Sequence, residues 1–94
     1  MKAENALQIK ELIEAGQFNP ETLCSGESWM SPSAKEIVLV RTMIPLSGSV
    51  LARRLAVNER TVRKWTSGQT GMTFTTWCCL CWLAGLGMLL EEPV

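Results

Sequence analysis

The sequence contains no histidine, no tyrosine and no aspartate; all nine of its acidic residues are glutamate. Those absences remove most catalytic arrangements. Neither a Ser-His-Asp triad nor a Cys-His pair can be built, and an enzyme would have to work with Glu, Lys, Arg, Cys and Ser alone. The chain is therefore read as a non-enzyme that needs no cofactor. A net charge is missing too, because nine Lys and Arg balance the nine acids. Aromatics are few, but four of the six are tryptophan. The 94 residues have room for one domain with a modest core.

The neutral total conceals a gradient. Residues 1–34 carry −3, residues 35–68 carry +5 and residues 69–94 carry −2. A basic middle between acidic ends is the electrostatic footprint of a nucleic-acid binder, although charge runs are also the ordinary solvated face of a helix. Four cysteines are present, Cys24, Cys78, Cys79 and Cys81. The N-terminus shows no signal-peptide pattern, since Lys2, Glu4, Lys10, Glu11 and Glu14 interrupt any apolar run. That points to the cytoplasm, where thiols stay reduced. Three crowded thiols without histidine do not make the two separated ligand pairs of a closed zinc site. They read as small apolar residues, with no metal.

Read for periodicity, the chain is all-α. Residues 3–15 predict a helix whose face holds Ile9, Leu12 and Ile13, with Leu7 at the edge and Gly16 as its stop. Asn19-Pro20 reads as a cap and first helical residue opening a short turn through Cys24. Phe18, Leu23, Trp29 and Met30 read as core pins. Ser31-Pro32 repeats the cap signature and predicts a helix to about Met43, with Ile37, Val38, Val40 and Ile44 buried and Pro45 as its end. After a loop at 69–71, Thr73 is set to cap a helix over 74–84, ended by Gly85. Residues 70–90 hold no charge over 21 positions, long enough to cross a bilayer. Four threonines, three glycines and an acidic flank oppose a membrane reading. The preferred reading is a helix buried nearly all round. Its apolar surface exceeds what one small domain covers, so Trp77, Cys78, Cys81 and Trp82 are the expected dimer interface.

Between these segments lies SGSVLARRLAVNERTVRKWTSG, residues 47–68. It predicts two short helices and a tight turn. Val50, Leu51 and Leu55 form the stripe of the first, Val57 enters the turn, Asn58 caps the second, Val62 and Trp65 face inward, and Gly68 ends it. Ala52 is small where the two helices cross. Glu59, Arg60, Arg63 and Lys64 are left on the outer face. Arginine bonds guanine O6 and N7 together, glutamate accepts from cytosine N4, and lysine reaches guanine or phosphate. These four are the base-reading candidates. Ser47, Ser49, Arg53 and Arg54 are the phosphate candidates.

Leu51-Ala52-Arg53-Arg54-Leu55-Ala56-Val57, Asn58 to Trp65 and then Gly68 resemble the lambda-repressor-like helix-turn-helix family (XRE or Cro type). The resemblance covers residues 32–86. It implies a DNA-binding domain of about five helices, acting as a homodimer on a pseudo-palindromic site in double-stranded DNA. Two positions depart from the family: Gly48 stands where glutamine commonly braces the second helix and bonds phosphate, and Thr66 stands where an acid commonly follows the tryptophan. Ser47 and Ser49 are then the substitutes for the phosphate clamp. The expected organisation is an acidic helical extension over 1–31 and a helix-turn-helix domain over 32–94, together one compact bundle. The expected function is a sequence-specific transcriptional regulator, a repressor or autoregulator. The competing readings are an antitoxin or protein-binding module, with a toxin as partner, and a tail-anchored membrane protein.

Overall fold

A computed structural model describes residues 2–67 and 71–90. Among these residues there are five α-helices, two short 3₁₀ turns and no strand. The helices are α1 (Lys2–Glu14), α2 (Ala34–Thr42), α3 (Gly48–Leu55), α4 (Glu59–Ser67) and α5 (Phe74–Leu83). The 3₁₀ turns, Pro20–Leu23 and Gly26–Ser28, lie between α1 and α2. The bundle measures 34 × 30 × 27 Å. None of the described helices is long and apolar enough to cross a membrane.

Local chemistry sets the helix ends. Asn19 accepts from the Glu21 N–H, Ser47 from that of Val50 and Thr73 from that of Thr76, so each starts its element with a side-chain cap. Three helices stop by one device, in which a residue two or three positions past the helix reaches back five positions. The bonds are Gln17 N–H to Leu12 O (2.8 Å), Val57 N–H to Ala52 O (2.9 Å) and Leu86 N–H to Cys81 O (2.9 Å). At two of these ends a glycine takes the left-handed backbone, Gly16 at φ 73° and Gly85 at φ 86°. At the third the residue is Ala56, φ 55°, a conformation that costs a side-chain-bearing residue about 1 kcal/mol.

One core gathers side chains from every helix: Ile9 of α1, Ile37 and Val40 of α2, Leu51 and Ala52 of α3, Val62 and Trp65 of α4, and Trp77, Leu80 and Cys81 of α5, together with Phe18 and Met72. Three polar links fasten the first thirty residues to the rest. The Trp77 indole N–H donates to the Thr22 carbonyl at 2.8 Å inside the core. The Asn5 amide donates to Ala84 O at 2.9 Å and, more weakly, to Met43 O at 3.5 Å. The Glu36 carboxylate accepts from the Asn19 N–H at 2.7 Å and the Ser33 N–H at 2.8 Å. Trp29 meets Phe74 edge-on, with centroids 5.3 Å apart.

The structure corrects the sequence reading at several points. The cap of α2 is Ser33, not Ser31. Ser33 and Glu36 form a reciprocal capping box, and this S-x-x-E signature outranks the preceding Ser-Pro. Val38 is exposed, because Ile37, Val40 and Ile44 follow the i, i+3, i+7 rhythm and Val38 stands about 100° away from Ile37. Met30 is exposed as well; the extended backbone at Trp29 turns one side chain to Phe74 and its neighbour outward. Gly68 and most of the loop after it lie outside the described residues.

Candidate nucleic-acid interface

Helices α3 and α4 are joined by only three residues, Ala56, Val57 and Asn58. The Asn58 side chain accepts from the Arg60 N–H at 2.8 Å, and its carbonyl accepts from the Thr61 N–H at 2.9 Å. This double use opens α4 immediately after the turn. Val62 and Trp65, one turn apart, are buried in the core with Leu51 and Ala52. The near-complete burial of Ala52 fits a close crossing at that point.

With its inner face so held, α4 turns Glu59, Arg60, Arg63 and Lys64 to solvent. Arg60, Arg63 and Lys64 line a shallow depression together with Ser67. Glu59 and Arg63 approach to 3.8 Å as an i, i+4 pair, with both side chains more than half exposed. Such a pair adds little stability and leaves the guanidinium available. Ser67 is an addition to the residues expected from sequence. Its spacing from Arg60, Arg63 and Lys64 puts it on their face, but its hydroxyl donates to the Lys64 carbonyl.

The four phosphate candidates are placed less uniformly. Ser47 caps α3 and lies 3.2 Å from the Ser49 hydroxyl, which puts two exposed hydroxyls on the first turn of that helix. Arg53 and Arg54 are exposed at its last turn. Arg54 borders an apolar groove with Leu55, Cys79, Trp82, Leu83 and Met88. Arg41, which belongs to the basic middle by charge, is otherwise engaged. Its guanidinium donates to Leu46 O at 3.0 Å and Ile44 O at 3.4 Å, fixing the loop that leads into α3. No local pattern in the sequence marked it as a loop clamp.

Of the four residues expected at a dimer interface, Trp77 and Cys81 are fully enclosed by the chain's own core and Cys78 nearly so. They have no surface to offer a second copy. Trp82 remains, 52% exposed, beside the exposed Cys79. Burial raises the Cys81 thiol to about 12, with the neighbouring Cys78 adding to the shift. Burial and then Cys79 raise Cys78 in the same direction. Both thiols are therefore protonated and inert at neutral pH.

Comparison with known proteins yields two similar curated proteins from Escherichia coli, both named transcriptional repressor protein KorC. One is 33% identical over 75 residues, spanning 77% of this chain and 88% of the relative. The other is 36% identical over 72 residues, spanning 73% of this chain and 85% of the relative. No family model matches the chain, and no solved structure matches it.

Proposed function

The chain belongs to the KorC family of transcriptional repressors, and from that membership we propose that it represses by laying α4 in the major groove of duplex DNA. The observation that carries this reading is the division of α4. Val62 and Trp65 anchor it from within, while Glu59, Arg60, Arg63 and Lys64 form one continuous outward face. The three cations supply bidentate and point contacts to base edges, and Glu59 supplies an acceptor for cytosine N4. Ser47 and Ser49, with the Gly48 and Ser49 N–H groups at the start of α3, take a phosphate. Arg53 and Arg54 neutralise the backbone further along. The three-residue turn, the Leu51-Ala52 pair and the Val62–Trp65 spacing support a lambda-repressor-like docking mode. In that mode the residues over 32–94 form the reading domain and the acidic segment over 1–31 is its buttress.

A pseudo-palindromic site calls for two copies, with half-sites about 34 Å apart. Trp82 and the groove beside it are the surface we assign to the homodimer. Replacing Trp82 with glutamate is expected to yield monomers by analytical ultracentrifugation. A dimer that survives the change moves the assignment to α1, where Leu7 is 57% exposed.

The test of the function is a mobility shift with DNA from upstream of the protein's own gene, at two salt concentrations. A sequence-specific shift that weakens steeply with salt is expected. Absence of any shift favours the competing reading of a protein-binding module.

A further inference from the structure

Glu59 is the one carboxylate on the outward face of α4, and its position is unusual. It is the first residue of α4, while Gly48 is the first residue of α3. A Cβ built on Gly48 would stand 3.8 Å from the Glu59 Oε1. No side chain therefore separates this carboxylate from the first turn of α3, where the Ser47 and Ser49 hydroxyls sit. The same carboxylate lies 3.8 Å from Arg63. A negative charge thus stands where two helix starts meet, a place whose partial positive charge otherwise suits a phosphate.

We propose that Glu59 sets the specificity ratio of this repressor by penalising the wrong DNA. The inference rests on the DNA-binding reading above. Non-specific binding is almost wholly phosphate neutralisation. A carboxylate beside the phosphate-contacting turn opposes it. In the major groove a carboxylate finds a donor only at cytosine N4 or adenine N6; guanine O6 and N7 and thymine O4 are acceptors that repel it. The penalty is lifted where the operator offers that amino group. Gly48 marks the close approach of the two helix starts, where even a Cβ would stand in ordinary contact with the carboxylate.

The experiment uses the full chain. An operator is first selected from a random duplex pool with the wild type. Dissociation constants are then measured by fluorescence anisotropy for that operator and for an unrelated duplex, at two salt concentrations. Wild type, Glu59→Gln and Glu59→Ala are compared, with thermal melts to establish that all three are folded. Both variants are expected to bind the unrelated duplex about three- to tenfold more tightly, with a steeper salt dependence. Their operator affinity stays level or falls, so the ratio narrows. Unchanged affinity for unrelated DNA in both variants overturns the inference, and a loss confined to the operator reduces Glu59 to a plain base contact. A wild-type chain that selects no operator overturns the DNA-binding reading itself, a result distinct from either.

Discussion

Helices α4 and α5 have nearly the same length, nine and ten residues, and divide their surfaces in contrary ways. In α4 two residues, Val62 and Trp65, are buried and four charged side chains stand outside. In α5 no residue is charged and four are buried, Trp77, Cys78, Leu80 and Cys81. Neither helix is long enough to persist alone in water. The first is held through a narrow inner stripe, which leaves the rest of its circumference for ligand chemistry. The buried side of the second is covered by the 3₁₀ turn that bonds Trp77, by Trp29 against Phe74, and by the Asn5 link at its C-terminal end, while Cys79 and Trp82 stay exposed. Side chains in α5 should therefore govern stability, and the outward side chains of α4 should govern binding with little effect on stability.

The sharpest way to break that division is Trp77→Ala. It removes the largest fully buried side chain and the bond to Thr22. A loss of about 3–5 kcal/mol is expected in urea denaturation, a large part of a small domain's stability. A near-normal midpoint would mean that α5 is not the anchor. On the other side, Arg60→Ala should cost about 1–3 kcal/mol of operator binding and relax preference at one base pair, with its melting temperature unchanged. Equal weakening toward all sequences would demote Arg60 to a phosphate contact.

Between the two helices in expected size is the turn itself. Ala56→Gly should stabilise the fold by about 1 kcal/mol, since glycine takes the left-handed backbone without strain. A destabilised variant would show that unfolded-chain entropy outweighs the strain. The smallest effect concerns the thiols. Iodoacetamide at neutral pH should label the exposed Cys79 and spare Cys81, as read by mass spectrometry. Because the folded Cys81 thiol is raised from an ordinary value of 9.0 to about 12, its contribution to stability is complete below about pH 9 and is lost as pH rises toward 12. Cys81→Ala should flatten that alkaline slope in denaturation curves.

Much of this architecture was legible in the residues. Helix starts at Asn19, Ser47, Asn58 and Thr73 and stops at Gly16 and Gly85 are local events, decided by one side chain and the next few N–H groups. The inner stripe of α4 was legible because Val62 and Trp65 repeat at helical spacing amid charge. The uniformly apolar α5 gave no such direction. Its excess of apolar surface suggested a second copy, whereas the cover for Trp77, Cys78 and Cys81 comes from within the chain. That cover depends on pairings across 55 and 79 positions of sequence, Trp77 with Thr22 and Asn5 with Ala84, and no local pattern announces them. The Arg41 clamp on the Leu46 carbonyl was hidden for another reason: by charge alone it is indistinguishable from the cations left free.

The Asn5 bond also ties α1 to the far end of α5. Its principal acceptor, the Ala84 carbonyl, lies 79 residues away in sequence, and Ile9 of the same helix is buried in the shared core. Fraying of α1 therefore costs the last turn of α5 a partner as well, so local opening at either place is coupled to the other.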